Sequence, residues 1–418
     1  FQFRNSKDDA QTIGAKLGVA HLLEGSVRRQ GDEVRISAEL INTRDASTLW
    51  SQHYDRPYKD LFALQDAVTH AVAGALQAKL MESGGAVAQS DRPPSGNLAA
   101  YTAYLQGKFY DARGTEADLR RAIAQYQAAI QADPRYALAY ATLSNAWTGL
   151  AGEWLSGQAA QQAYAKARAA ANTALALNSS LAAAHDARGY VLKIADFDWA
   201  GAQAEYQRAA QLAPNDGASL FNSGNLLATL GHPGQAVTLT RQALTTDPLH
   251  ASWYNWLAIY LSGLGRIDEA AAAIHKAIEL QPAAAGDYTW LAAIEIQRSD
   301  AKAALAAAQA EPAGVWQDVA LALARQIGPD RAAADAALKH LIEKDADSAP
   351  YQIAEVYALR RDPDQMFKWL DRGWTARDPG IGYLLYDPLI LRYQHDPRFA
   401  AFCKKVGLPT TTDAVAVK

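Results

Sequence analysis

The stretch YNWLAIYLSGLGRIDEAAAAIHKAIELQP, residues Tyr254 to Pro282, decides the fold of this chain. It reads as two amphipathic helices, and the second stops before Pro282 because proline cannot continue a helix. The same helix end recurs at Pro248 and Pro214, each 34 residues before the next, and again at Pro134. A fixed period of this length indicates an array of structural repeats.

Small residues mark the places where paired helices approach closely within each unit. They are Gly189 and Gly224 in first helices, Ala202, Ala236 and Ala270 early in second helices, and Ala209, Ala243 and Ala277 seven residues later. This pattern resembles the tetratricopeptide repeat, which forms an α-solenoid whose first helices line a concave groove. Five copies are clear and eight are predicted over residues 98–380, so the fold is expected to be mainly α.

A small α+β domain is predicted in front of the repeats, over residues 1–82. The stretch LLEGSVRRQGDEVRISAELIN, residues Leu22 to Asn42, alternates apolar and polar residues around a Gly-Asp turn, which is typical of a β-hairpin. Strands are expected at 20–28, 33–42 and 47–54. A helix over 59–80 is expected to cover the sheet, because its apolar residues recur at helical spacing.

A linker separates the two predicted domains. The stretch MESGGAVAQSDRPPSGN, residues Met81 to Asn97, is dense in Gly, Ser and Pro and has few large apolar residues. We assign the linker to residues 83–97 and the repeats to 98–380. Residues 381–418 are expected to form capping helices and a tail.

The composition excludes several classes of function. The chain has 418 residues, a formal net charge of -4 and a pI near 6.2, which provide no broad cationic surface for direct nucleic-acid binding. Its one cysteine, Cys403, permits no internal disulfide. The nine histidines lack metal-binding spacings, and no nucleophile elbow or phosphate loop occurs. We therefore predict no metal, no cofactor and no enzymatic activity.

Three segments resemble one bacterial family. AKLGVAHLLEGSVRRQGDEVRISAELINTRDASTLWSQHYDRPYKDLFALQDAV, residues Ala15 to Val68, resembles the latter half of the TolB amino-terminal-like (FlgO-like) domain. AAYTAYLQGKFYDARGTEADLRRAIAQYQAAIQADPRYALAYATLSNAW, residues Ala99 to Trp147, resembles the first repeats that follow that domain in bacterial signalling proteins. DPLILRYQHDPRFAAFCKKVGLP, from Asp387, resembles the capping helices of the same family. The apolar strand and helix that open the family's domain are not found before Phe1.

This resemblance implies a setting for the chain. In the family, the two domains commonly follow a CadC-like winged-helix domain or a nucleotide cyclase, with one membrane helix between. The chain is thus expected to be a sensor or protein-interaction region of a membrane-anchored regulator, on the periplasmic face of the inner membrane or, alternatively, in the cytoplasm. A stand-alone tetratricopeptide adaptor of the cochaperone type is the second hypothesis. Its basic clamp is not apparent, since the corresponding positions are Asp186, Asn222, Ser252 and Trp256.

The repeat spacing also predicts a partner-binding groove for a protein or peptide. Counting from the prolines places one line of side chains on the inward edge of the first helices: Asn145, Asp186, Tyr190, Phe221, Asn225, Asn255 and Ile259. Asparagine can donate to and accept from a peptide backbone, and Tyr and Phe add apolar area. A solvated groove wall is the alternative. Five tryptophans could anchor a ligand in the groove or pack between helices, and packing is the favoured interpretation. They are Trp147, Trp154, Trp253, Trp256 and Trp290.

The incomplete sheet of the front domain is expected to leave an open edge. An uncovered strand presents free N–H and C=O groups and tends to pair with another chain. Arg28, Arg29 and Arg35 supply some charge near the sheet, but no proline or bulge clearly blocks pairing. We therefore expect either poor order over residues 20–54 or a homodimer formed through this sheet edge.

Overall fold

A computed structural model describes residue 3, residues 7–75 and residues 90–415 of the 418-residue chain. The chain divides into two compact units, Phe1–Ala88 and Gln89–Lys418. The described part of the first unit holds a three-stranded sheet and two α-helices, and that of the second is helical. The predicted fold class, mainly α with a small α+β domain before a tetratricopeptide-like solenoid, is confirmed. Among these residues, no helix has both the length and the apolar character needed to cross a bilayer.

The first unit begins with a short helix, α1, over Ala10–Leu17. Its N-terminus is capped by Asp9, whose carboxylate accepts a hydrogen bond from the Thr12 N–H at 2.8 Å. The helix ends at Gly18, whose φ of 66° is a left-handed conformation that glycine adopts readily. The end of α1 at Gly18 therefore follows from ordinary helix-end chemistry.

Three antiparallel strands follow in the spatial order β1-β2-β3. They are β1 His21–Gln30, β2 Glu33–Asn42 and β3 Thr48–Pro57, each within three residues of its predicted ends. Helix α2 covers Leu61–Ala75. Residues 76–80 of the predicted helix and residues 83–89 of the predicted linker lie outside the described residues.

The apolar face of the sheet extends beyond its helical cover. The register pairs Leu23 with Leu40 and Val27 with Ile36, so these side chains share one face. Leu40 and Leu64 are buried, because α2 lies against β2 and β3. On the outer strand β1, however, Leu23 is 54 % exposed and Val27 is 69 % exposed.

Eight packed helix pairs form the described solenoid of the second unit. They are α3 Leu98–Asp111 with α4 Glu116–Ala132, α5 Ala137–Trp154 with α6 Gly157–Leu177, α7 Ala182–Val191 with α8 Trp199–Leu212, α9 Gly217–Thr229 with α10 Pro233–Thr246, α11 Ala251–Gly263 with α12 Ile267–Leu280, α13 Asp287–Gln297 with α14 Ala301–Ala310, α15 Val315–Gln326 with α16 Arg331–Asp345, and α17 Pro350–Leu359 with α18 Pro363–Ala376. A π-helical turn, Leu192–Asp196, extends α7, and helix α19, Pro397–Lys405, follows the pairs.

Residues 91–97, the second half of the predicted linker, are packed on the first helix pair. The Ser95 hydroxyl donates to the Asp133 carboxylate at 2.7 Å, and the Tyr136 hydroxyl donates to the carbonyl of Asp91. The helical unit therefore begins several residues before α3, because these polar groups fix the incoming chain.

Hydrogen bonds between first helices hold consecutive repeats together. Ser219 of α9 donates to Asp186 of α7, and Asn225 of α9 donates to Tyr260 of α11, both at 2.5 Å. The ammonium of Lys193, in the turn that extends α7, donates to the side-chain oxygen of Asn225. The residues joined by the first two of these hydrogen bonds are 33 and 35 positions apart in sequence. This separation is close to the repeat period, which brings equivalent positions of neighbouring first helices side by side.

Small residues allow the closest helix contacts. A Cβ atom on Gly189 of α7 would lie 2.6 Å from the ring of Tyr206 on α8. Ala202 and Ala209, also on α8, are completely buried. The small residues identified from the sequence thus lie where the helices of a pair touch.

The variant Gly189→Ala should lower the free energy of unfolding by about 1–3 kcal/mol, because the added methyl group forces the Tyr206 ring to move in a filled interface. Gly149→Ala is the matched control on α5. The nearest side-chain atom to its added Cβ is 3.9 Å away, so this alanine fits and gains up to about 1 kcal/mol of helix propensity. Urea denaturation compares the two variants. Equal stability would contradict the close approach of α7 and α8.

The chain after the last helix pair returns to the middle of the solenoid. Trp199 of α8 donates from Nε1 to the Val406 carbonyl at 3.0 Å, and the Val415 N–H donates to the Gly263 carbonyl at 2.8 Å. Residues 381–415, within the segment predicted to cap the array, thus contact helices from α8 to α11.

The last repeat also meets the third one directly. The ring of Phe197 stacks on Trp374 with a centroid distance of 5.4 Å, and Arg377 donates to the Asp196 carbonyl at 3.1 Å. These contacts join residues about 180 positions apart in sequence. The repeat array is therefore coiled back on itself rather than open.

A buried carboxyl pair fastens the returning segment to α17. The Tyr351 hydroxyl donates to Asp387 at 2.9 Å, and Asp387 in turn accepts the Leu389 N–H at 2.8 Å. Glu355 is hydrogen-bonded to Asp387. Burial, together with the neighbouring Asp387 carboxylate, raises the pKa of Glu355 well above 4.5. Burial likewise raises the pKa of Asp387. The pair therefore retains a proton in a pH range where a free glutamate would be ionised.

The variant Glu355→Gln should have a higher thermal midpoint than wild type. The difference between the two midpoints should be larger at about pH 8 than at about pH 5. A glutamate with a raised pKa in the folded state contributes stability below its unfolded pKa, near 4.5, and that contribution is lost as pH rises toward the folded pKa. Glutamine keeps a donor for Asp387 without this loss. Circular dichroism melts measure the effect, with the exposed Glu343→Gln as control. Parallel pH profiles of wild type and E355Q would contradict the shared proton.

Candidate partner-binding cavity

Four of the seven predicted groove residues line one cavity of about 330 Å³ in the second unit. They are Asn145 on α5, Tyr190 on α7, and Asn255 and Ile259 on α11. The Asn255 side chain donates to Asp287 at 2.5 Å, which fixes the orientation of both groups at the cavity wall. The inward edge of three first helices is thus brought together here.

The other three predicted residues lie outside the wall of this cavity. Asp186 and Asn225 are 4 % and 8 % exposed and form the hydrogen bonds between first helices, so we reassign both to the interface between repeats. Phe221 stacks on Trp253 with a centroid distance of 5.8 Å. The repeat spacing placed these residues on first helices, but whether each side chain faces the cavity depends on its partner one repeat away.

The cavity has facing walls because the solenoid coils. Asp111 and Gly114, at the end of α3 and in the following turn, line one side, and Gln281, after α12, lines another. A Cβ atom on Gly114 would lie 2.5 Å from Nε2 of Gln281, so the first and fifth helix pairs meet beside the cavity. The open groove expected from the sequence is therefore a partly enclosed cavity.

Six aromatic side chains line the cavity: Trp154, Tyr190, Trp256, Trp290, Trp316 and Tyr383. Tyr383 comes from the returning C-terminal segment. Its ring is nearly perpendicular to those of Trp256 and Trp290, with centroid distances of 5.6 and 6.2 Å. Of the five tryptophans considered from the sequence, Trp154, Trp256 and Trp290 line the cavity, whereas Trp253 is buried in the core. Trp147 packs against a core cluster nearby.

Three carboxylates, those of Asp111, Glu153 and Asp287, also line the cavity, and its described lining contains no Lys, Arg or His. An adjoining cavity of about 200 Å³ shares Glu153 and adds Asp345 and Asp378, again with no basic residue in the described lining. Sequence analysis missed these acids because they do not recur at the repeat period. Their common location follows only from the coiling of the solenoid.

The surroundings make these acids weaker than usual. The walls of the cavity partly desolvate Glu153 and raise its pKa to about 7, and the nearby Asp111 carboxylate adds to this effect. Burial raises the pKa of Asp287 to about 7, against the opposing hydrogen bond from Asn255. Burial raises the pKa of Asp111 to about 6, although Tyr126 donates to it at 3.1 Å.

Two buried polar atoms at the cavity wall have no hydrogen-bond partner among the described residues. They are Oδ1 of Asn145, an acceptor, and Nε2 of Gln281, a donor. Leaving such a group unpaired costs on the order of 1–3 kcal/mol. Within residues 7–75 and 90–415, no group of three or more His, Cys, Asp or Glu side chains is placed to hold a metal ion.

Comparisons with known proteins give one family match and several solved structures of partial similarity. Residues 251–283 match the family model for the tetratricopeptide repeat. The solved APC/C hetero-tetramer Cut9–Hcn1 is similar in structure with a TM-score of 0.51 and 14 % identity, over 82 % of this chain and 59 % of that chain. The structure of pilF from Pseudomonas aeruginosa has a TM-score of 0.39 and 17 % identity, over 50 % of this chain and 93 % of that one.

A curated relative matches a short segment. Over 80 residues the chain is 40 % identical to the putative adenylate cyclase 3 of Rhizobium meliloti strain 1021. The match spans 19 % of this chain and 14 % of the length of that relative. The family match and the eight helix pairs lead to one conclusion: the chain carries a tetratricopeptide repeat at residues 251–283 within a solenoid of tetratricopeptide fold, an architecture suited to protein–protein interaction.

Proposed function

We propose that the chain is a non-enzymatic interaction module that binds a protein or peptide partner in the cavity lined by Asn145, Tyr190 and Asn255. The observation that supports this most is a cavity of about 330 Å³ whose wall combines six aromatic side chains with the polar side chains of Asn145 and Asn255. Ligand sites typically combine apolar and aromatic walls with a few fixed polar groups. Aromatic side chains also supply large contact area at low entropic cost.

The dimensions of the site favour a segment of polypeptide. The cavity of about 330 Å³ adjoins the second cavity of about 200 Å³, because Glu153, Trp154 and Tyr383 line both. Two adjoining spaces of this size accommodate neighbouring side chains of one extended chain. Tetratricopeptide solenoids present concave surfaces that suit such binding.

A cochaperone-type adaptor that grips an acidic C-terminus is the second candidate. That role requires Lys or Arg side chains directed at the bound carboxylates. The described walls of both cavities carry carboxylates and no basic side chain, which disfavours an acidic ligand. A stand-alone scaffold with a different ligand remains the alternative to a regulator subunit.

For the cellular setting we propose the sensor or interaction region of a bacterial membrane-associated signalling or transcriptional regulator. Two observations support this setting: the TolB-like sequence resemblance of the first unit and the 40 % identity over 80 residues to a protein named as a putative adenylate cyclase. The proposed location is the periplasmic face of the inner membrane, with the cytoplasm as the alternative. Alkaline phosphatase and green fluorescent protein fusions to the native gene product distinguish the two.

We also propose that the first unit forms a homodimer through β1. This strand is at the edge of the described sheet, and Leu23 and Val27 expose apolar surface there. Val27→Arg should shift the chain toward monomer by at least about tenfold in dissociation constant, because it places a charge in the proposed contact. Sedimentation equilibrium measures the shift. Leu105→Arg, at an exposed leucine on α3, is the control. A monomeric wild type, or equal effects of the two variants, would refute the dimer.

Photo-crosslinking tests the cavity as the binding site. A random peptide library is selected against the full chain, and the selected peptides are presented to variants carrying benzoylphenylalanine at Ser252, in the cavity wall, or at Lys339, on an exposed face of α16. We expect adducts at Ser252 and none above background at Lys339. Adducts of equal yield at the two positions, or a selection that returns no specific peptide, would contradict the proposal.

A further inference from the structure

We infer that the cavity selects a cationic group, namely the side chain of a lysine or arginine in the partner segment. This inference rests on the proposed function and specifies the chemistry of the residue that enters the site. It is carried by three features of the described walls: their charge, the spare hydrogen-bonding capacity of their carboxylates and their aromatic rings.

The charge of the walls has one sign. Asp111, Glu153 and Asp287 line the cavity, and Asp345 and Asp378 line the space next to it. No Lys, Arg or His occurs in the described lining of either space. Grouped carboxylates repel one another in a confined space, so a bound cation relieves this repulsion whereas a bound anion increases it.

Hydrogen-bonding capacity at these carboxylates is left for a ligand. Asp287 accepts from Asn255 and Asp111 accepts from Tyr126. The carboxylate of Glu153 receives no hydrogen bond from a described residue, although it lies in the lining of both spaces. A guanidinium or ammonium group carries several donors and no acceptor, which matches this surplus of acceptors.

The aromatic rings suit a cation as well. A cation over the face of a tryptophan or tyrosine ring is attracted by the ring quadrupole. Tyr383 packs edge-to-face against Trp256 and Trp290, so these three rings form one cluster in the cavity wall.

Lys and Arg side chains of this chain lie over aromatic rings outside the cavity, but none of the described ones lies over a ring of the cavity wall. Arg372 lies 4.8 Å from the ring centroid of Trp369, and Lys166 lies 4.3 Å from that of Trp147. Within the described part of the chain, no Lys or Arg lies over any of the six aromatic rings of the cavity. The site therefore has an unused capacity for a cation from another molecule.

Binding should depend on pH through the same carboxylates. A cation stabilises the ionised form of Glu153, whose pKa is about 7 without it, so affinity should rise by about tenfold from about pH 5.5 to about pH 8. The other titratable groups facing these acids are Tyr164, Tyr190 and Tyr383 near Glu153, Lys108 and Tyr126 near Asp111, and Glu311 near Asp287. The tyrosines stay neutral over this range, because burial raises the pKa of each.

Fluorescence anisotropy on the full chain tests the inference with three probes: a labelled peptide of alternating arginine and glycine, the same peptide with glutamate in place of arginine, and tetramethylammonium as a competitor. The arginine peptide should bind at about pH 8, and the glutamate peptide should bind at least about tenfold more weakly. Competition by tetramethylammonium at the concentration at which the arginine peptide binds would overturn the assignment to a peptide side chain, in favour of a free small cation.

Two isosteric variants locate the effect. Glu153→Gln removes one charge from the cavity and should weaken the arginine peptide by about tenfold, as expected for a lost charge-assisted contact. Glu343→Gln makes the same change at an exposed site on α16 and should change affinity by less than about twofold. Equal affinities for E153Q and wild type would overturn the inference, with matching circular dichroism melts confirming that both are folded. If neutral or acidic library peptides crosslink at Ser252, the cation inference fails while the proposed function stands.

Discussion

The contact between neighbouring first helices is the constraint on which the rest of the structure depends. It brings residues about one repeat apart side by side, as in the hydrogen bonds from Ser219 to Asp186 and from Asn225 to Tyr260. Alanine and glycine on paired helices keep the spacing short, as at Gly189 against Tyr206. Polar side chains on these faces are therefore committed to neighbouring helices. What remains for a partner is a smaller set of residues at the inward edge.

Because this contact repeats along the array, the solenoid curves, and its curvature encloses the cavity. The first helix pair reaches the fifth at Gly114 and Gln281, and the third reaches the eighth at Phe197 and Trp374. The returning C-terminal segment then adds Tyr383 to the same wall. The acids and aromatic rings of the cavity thus come from distant parts of the chain. A segment that reads as a cap in sequence is part of the site.

The repeat period was sufficient to predict the solenoid, because a helix pair with one apolar face has few ways to bury it other than against the next pair. It was also sufficient to place Asn145, Tyr190 and Asn255 on a common inward edge. It was insufficient for Asp186 and Asn225, since a polar residue at such a position can face either the groove or the adjacent helix. It carried no information on Glu153 or Tyr383. Their proximity depends on small rotations summed over several repeats, which no local pattern encodes.

Hydrogen exchange of the full chain, measured with and without the arginine-glycine peptide at about pH 8, tests the central claim most directly. One coiled cavity with a single ligand should slow exchange together in residues 111–119, 251–259 and 281–290, which form its walls. Residues 331–340 of α16, which line neither cavity, should not change. Protection confined to one of the three wall segments, or spread over residues 331–340 as well, would contradict the account of a cavity enclosed by distant repeats.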